Sequence, residues 1–442
     1  MYIMDNRRGD SPADLTFPGK VDMLILHFTF PGKGAVPMKR MKVRRKKTLA
    51  QWLREKRWSI LVLAVAAALF IAVACIARPA PEEETDAVHT VYENGKIVQI
   101  LSDSTELDER SDNSYRGEQL MLVDVTTGEY AGKQLQVYNY VAPIYGVPLK
   151  EGSGVTLQIS VYDNGDLRAT VFEYNREPVI VLIVALFLVV TVLVGGKTGA
   201  KSLIGLIVTL ACLFWILLPL LMKGAPTILT AFLVCAYASA VCFVLLSGVS
   251  RKTACALLGT ILGMGLAMLF GLLTQTLAKV DGLRNSEVEP LLQLRQDGVP
   301  LGLKGLLVGG IIISTLGAVM DVAMSISSAL SEVHAVNPTL NRHQLFHSGM
   351  NIGRDMVGTM TNTLILAFFG SSFTLILYLY SLGLQPHQLF SSAYLAREVI
   401  SGISSSIGVI LSVPITAFVS SVLMANAKVE PREGVQLPQR KE

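Results

Sequence analysis

Apolar positions along this chain are clumped into long runs. They recur at about Trp58–Ala77, Val179–Val194, Leu203–Met222, Ile228–Leu246, Thr253–Leu277, Gly302–Ser328, Gly358–Leu382 and Val399–Ala425. Runs of this kind suit helices that cross a hydrocarbon core about 30 Å thick. Between the first and second runs the pattern changes to short stretches of period two, bounded by turn residues. Val88–Tyr92 and Ile97–Leu101 flank Glu93-Asn94-Gly95-Lys96, and Val155–Tyr162 and Leu167–Phe172 flank Asp163-Asn164-Gly165-Asp166. Asn-Gly between β-type runs predicts a tight hairpin, because both central residues tolerate positive φ. Gln119–Thr126 and Lys133–Tyr140 add two further strands. The pattern predicts an α-helical polytopic membrane protein with about eight transmembrane helices and a small all-β extracytoplasmic domain. A small barrel, OB-like among other forms, or a sandwich would accommodate five or six short strands.

Composition agrees, with 51% hydrophobic and 16% charged residues among 442. The net charge of +4 is local. Lys39, Arg40, Lys42, Arg44–Lys47, Arg54, Lys56 and Arg57 crowd in front of the first apolar run, where positive charge holds a segment in the cytoplasm. A nucleic-acid partner is not expected from a cluster in that position. Starting inside, alternate loops place Lys197, Lys201, Arg251, Lys252, Arg342, Arg354 and the tail Lys428–Glu442 in the cytoplasm, so both termini are expected there.

The domain plan is then a 1–37 extension, a 38–57 basic cytoplasmic segment and a 58–77 first span. An 85–175 β domain, a 178–427 seven-helix domain and a 428–442 tail follow. The extension carries a near-duplicate, Thr16–Lys20 and Thr29–Lys33. It reads either as a disordered tail or as translated upstream sequence with the start at Met38 or Met41. All five cysteines lie in apolar runs, which leaves the β domain no disulfide framework and the chain no zinc-type spacing.

Polar groups inside apolar runs are costly and point to function by default. On the sixth run, Ser314, Gly317, Asp321, Ser325, Ser328 and Glu332 recur every three or four residues, on one helical face. Asn351, Asp355, Gly358 and Asn362 repeat that spacing on the seventh run and its approach, with Arg354 beside them. Ser401, Ser405, Gly408 and Ser412 do so on the eighth, followed by Pro414. Mutual facing of the three stripes is the economical arrangement. For the eighth run, and for Gly259-x-x-x-Gly263 and Gly305-x-x-x-Gly309, close helix packing explains the residues equally simply. Packing needs no charge, so Asp321, Arg354 and Asp355 stand out, with a structural Asp–Arg pair as the rival explanation. Glu332 and His334 suit a cytoplasmic surface as well as a site.

Catalytic signatures are incomplete. Gly196-Lys197-Thr198 has Thr191 where a phosphate loop requires glycine. Gly402-Ile403-Ser404-Ser405 has the look of an intramembrane serine motif, but no histidine follows to act as base. Asp321 and Asp355 as an aspartyl dyad would require a glycine that Ile352-Gly353-Arg354-Asp355 lacks. No enzyme activity and no cofactor are expected.

The stretch Gly317–Val333, followed by Ser348-Gly-Met-Asn351-Ile-Gly-Arg354-Asp355-Met-Val-Gly-Thr-Met-Thr-Asn362, resembles the YibE/F-like family of bacterial multi-pass membrane proteins. The resemblance implies a bacterial cell-membrane location and assigns no catalytic residues. The leading expectation is a permease or ion-coupled secondary transporter for an unknown small solute or ion. Asp321, Arg354 and Asp355 would form a charged gate, and Asn351, Asn362, Ser325, Ser328 and Glu332 a polar path. The rival is a non-transporting scaffold or sensor whose β domain binds a partner or envelope ligand. On either reading the expected partners include the lipid bilayer and a membrane protein or a second copy.

Overall fold

The computed structural model describes residues 49–77, 88–162, 167–280 and 288–425. The expectations for the 1–37 extension, the basic cluster before Leu49, the Asp163–Asp166 turn and the 428–442 tail lie outside those residues. The chain divides after Trp52 into two compact units. Of the first, only the opening turn of α1 (Leu49–Ala77) is described, and everything below concerns the second.

The β region contains β1 (Val88–Asp103), β2 (Glu106–Asp108), β3 (Ser114–Val125), β4 (Gln134–Val141), β5 (Gly154–Tyr162) and β6 (Leu167–Tyr174). Its order is β1-β5-β6-β4-β3-β2, and β1 also pairs with β3, so the sheet closes into a small barrel. All pairings are antiparallel except β4 with β6. Alternation supplies the core: Val155, Leu157 and Ile159 of β5 point inward with Ile97, Met121, Val123 and Val137.

The hairpin expected at Glu93–Lys96 does not form. β1 runs straight through it, pairing with β5 up to Lys96 and with β3 from Gly95 onward. Gly95 sits where both partners converge, and a Cβ there would lie 2.7 Å from Val123 Cγ1 and 3.1 Å from Leu157 Cδ1. The glycine serves close approach of three strands rather than a turn.

The helical region contains α2 (Glu177–Cys212), a π-helical turn at Leu213–Leu217 and α3 (Leu218–Met222). α4 (Thr227–Ser247), α5 (Arg251–Ala278), the short α6 (Glu289–Gln296) and α7 (Leu306–Val336) follow. α8 (Arg342–Ser371), α9 (Phe373–Ser381), the short α10 (Pro386–Ser391) and α11 (Ala393–Ala425) come last among the described residues. Among the described residues six helical runs are long and apolar enough to cross a membrane, or seven if the α8–α9 pair, bent by 60°, counts as one.

Several boundaries differ from the sequence pattern. The second and third apolar runs join into one helical stretch, Glu177–Met222, because Lys197–Lys201 are helical too. Gly196 breaks it with φ 54° and ψ −137°, and the bend is sharp enough that a Cβ on Gly199 would lie 2.4 Å from the Thr191 carbonyl oxygen. α7 starts at Leu306 rather than Gly302, after Gly305 in the left-handed region, and extends to Val336. α8 begins sixteen residues before Gly358, because Asn341 and Gln344 form a reciprocal capping box at its start.

Candidate functional site

α11 packs against α5, α7 and α8, and small residues set how closely. A Cβ on Gly259 of α5 would lie 2.1 Å from Thr416 Oγ1, and one on Gly263 2.8 Å from Ser412 Cβ. On the α8 side, Gly353 meets Val413 and Gly349 meets Ala417. Gly408 itself faces Ala267 and Thr315. The Gly259/Gly263 pair therefore packs helices together, the role small residues take where backbones approach.

The same seam is rich in hydroxyls. Ser404, Ser405, Ser412, Thr416 and Ser420 of α11 are buried, as are Thr260 of α5 and Thr315 of α7. Many bond back along their own helix: Ser406 donates to the Gly402 carbonyl, Ser412 to Val409 and Thr260 to Ala256. Ser314 and Ser405 join α7 to α11 at 2.9 Å. The Ser404 and Thr416 hydroxyls are buried without a partner among the described residues, as are both ring nitrogens of His334. His334, at 4% exposure, lies within the packed end of α7 rather than on a surface. Its position four residues after buried Leu330 was the signal available in the sequence.

The charged stripes lie elsewhere. On α7 the packed face carries Val319, Val322, Ile326 and Leu330. Gly317, Asp321, Ser325 and Glu332 are exposed on the opposite face, roughly 180° away at about 100° per residue. Ser328 is half-buried and accepts from Lys252 Nζ at 2.9 Å, a contact that spacing did not suggest. On α8 the packed face carries Leu345, Gly349 and Gly353, and Asn351, Asp355, Gly358 and Asn362 are exposed on the other side, with Arg354 exposed between.

Gly349 and Gly353 touch Leu330 and Ile326 of α7, so the two helices meet through their packed faces. Their polar stripes consequently point away from each other. Mutual facing, expected from the periodicity, holds between the α7 and α11 stripes where Ser314 meets Ser405, and is corrected for α7 and α8: among the described residues no ion pair joins Asp321, Arg354 and Asp355. On α7 and α8 the apolar faces take the helix–helix contact and leave these two polar stripes outward, whereas Ser405 and Ser412 of the α11 stripe are buried in the seam.

A further polar cluster was missed. Ser372, at the α8–α9 bend, donates to Glu398 of α11 at 2.6 Å, and Glu398 pairs with Arg397 at 3.0 Å. These residues fix the bend to the start of α11. No group of three or more His, Cys, Asp or Glu side chains among the described residues could hold a metal.

Together these features define a mostly helical protein with helices of membrane-crossing length and a small β-barrel between the first two. The chain belongs to the YibE/F-like family, whose model, described as YibE/F-like protein, matches residues 183–426, more than half of the chain. No curated protein and no solved structure matches it.

Proposed function

We propose that the protein is a multi-pass bacterial cell-membrane permease, or ion-coupled secondary transporter, with Asp321 as its coupling carboxylate. Gly196 divides the 46-residue run Glu177–Met222, and the bent α8–α9 pair serves as one span. Eight segments then cross the membrane, with both termini in the cytoplasm. The barrel, read as an OB-like domain because five strands close it, lies outside.

One observation carries the reading. Asp321 is the middle residue of α7, with fifteen residues on either side, on the one polar face that α7 leaves open. At 1.5 Å per residue it lies about 22 Å from each helix end. A carboxylate at the bilayer centre costs about 2.5–3.5 kcal/mol on insertion scales, and helix packing requires none. Midplane sites of this kind are where secondary transporters bind their ions. Gly317 adds open space beside it, since a Cβ there would touch nothing within 4 Å.

The test is proton or sodium flux into proteoliposomes holding the full-length chain, read with internal pH-sensitive and sodium-sensitive dyes under imposed gradients. Wild type should carry flux and Asp321→Asn should lose it at equal protein content. Equal flux in both, or none in wild type under any gradient, sinks the reading.

A further inference from the structure

The β-barrel carries an aromatic surface at one end. On β4, Val137, Asn139 and Val141 point inward, so Tyr138 and Tyr140 point out, 44% and 54% exposed. Their rings stack at 6.3 Å. The chain then turns tightly, Ala142 and Tyr145 exchanging both backbone hydrogen bonds, at 2.8 and 3.2 Å. That turn projects Ile144 and Tyr145, 90% and 60% exposed. Across a cleft of about 230 Å³, Tyr140 and Tyr145 face Phe172 and Tyr174 of β6.

This end is rigid beneath the surface. Asn139 donates to Gln119 Oε1 and to the Val147 carbonyl, both at 3.0 Å. Gln119 Oε1 also accepts from the Leu149 N–H at 2.9 Å, and Gln119 Nε2 donates to Asp103 at 2.8 Å. The 142–149 loop is thereby pinned at Val147 and Leu149, on the C-terminal side of its apolar tip.

Chain continuity decides what covers the tip. β4 and β6 run parallel, so the ends of both strands lie at the same end of the barrel. β6 ends at Tyr174 and α2 begins at Glu177. Three residues span at most about 10 Å, so the aromatic end cannot move far from the first turn of α2. Arg176, paired with Glu173 at 2.6 Å, sits in that junction. Tyrosines beside a spanning helix, polar at one end and apolar at the other, are the residues that favour the membrane–water interface.

We infer that the Ile144–Tyr145 tip and the Tyr140/Phe172/Tyr174 surface dock on the headgroup–acyl boundary of the bilayer that α2 enters, anchoring the barrel to it. This rests on α2 spanning a membrane. The test uses the full-length chain, its five native cysteines replaced, in nanodiscs. Single cysteines at Ile144, at Glu129 on the loop that precedes β4, and at Leu186 in α2 carry an environment-sensitive fluorophore. The expected result is loss of fluorescence at 144 and 186 when lipid carries a nitroxide, and at 129 only with aqueous iodide. Quenching at 186 by lipid with 144 behaving like 129 overturns the docking surface while leaving the spanning helix intact. Aqueous exposure of 186 removes both. As a second readout, Ile144→Asp should make a label at Tyr145 accessible to iodide, and unchanged protection there also refutes the inference.

Discussion

Replacing Gly408 by Ala probes the α5–α11 seam where it has least room to adjust. An added Cβ would lie 2.5 Å from Ala267 Cβ, 3.3 Å from Ala267 Cα and 3.1 Å from Thr315 Cγ2. Carbon pairs are comfortable at about 3.5–4.0 Å, so the helices must separate by roughly 1 Å. Alanine has no rotamer to relieve the clash. Overpacking costs about 1–3 kcal/mol, and the upper part of that range applies because the obstruction includes backbone. Alanine returns about 1 kcal/mol of helix propensity over glycine. The expected net loss is about 1–2 kcal/mol, a fall in Tm of about 1–2 °C for a protein of this size. Thermal unfolding in detergent, followed by monodisperse fraction on gel filtration, measures it. Gly317→Ala is the control, since its Cβ meets nothing within 4 Å and only the propensity gain remains. Adding Ala267→Gly to Gly408→Ala moves one methyl from α5 to α11 and should recover at least half the loss, a favourable coupling of about 1–2 kcal/mol. If Gly408→Ala melts with Gly317→Ala, or the swap recovers nothing, the described seam is wrong.

Three more outcomes are expected. Gly196→Val forces a β-branched residue into φ 54°, ψ −137° and should cost about 1–3 kcal/mol; unchanged thermal stability would show that the bend does not exist. Gln119→Ala strips a partner from the Leu149 N–H and the Asn139 amide, each orphan costing about 1–3 kcal/mol. Amide exchange at Leu149 should quicken by orders of magnitude, and wild-type protection there would refute the network. The Thr105 hydroxyl and N–H, then Gln119, hold Asp103 below its ordinary carboxyl pKa of 3.8. A lowered folded pKa stabilises above the unfolded value and is lost as pH falls through the folded one. Thr105→Val should therefore destabilise the barrel slightly at pH 6 and match wild type near pH 2, as read by denaturant midpoints; an equal difference at both pH values counts against the assignment.

Much of the fold follows from local pattern. Apolar runs mark where helices lie, because a buried or lipid-facing helix must be apolar over its length. Capping residues such as Ser250, whose hydroxyl accepts from the Thr253 N–H, fix where one starts. Period-two alternation in β4 and β5 identified the strands, and their burial alternates with the same period. Asn94-Gly95 misled because a glycine permits both a turn and a close approach, and only the arrival of β3 and β5 on either side selects the second. The stripes of α7 and α8 were equally legible as stripes: Asp321, Ser325 and Glu332, and Asn351, Asp355 and Asn362, do share faces.

Periodicity cannot say what a face meets. It gives an azimuth on one helix, whereas packing depends on which azimuths two helices present to each other, through residues distant in sequence. Gly349 and Gly353 bring α8 to Leu330 and Ile326, and that contact turns Asp321 and Asp355 in opposite directions. Likewise Lys252 reaches Ser328, and Ser372 reaches Glu398, only after the helices assemble. The sequence alone determined which segments are helices or strands and which residues share a face, because those depend on neighbours within a turn or two. The tertiary structure decided which faces touch, because close packing rewards shape complementarity that no local pattern encodes.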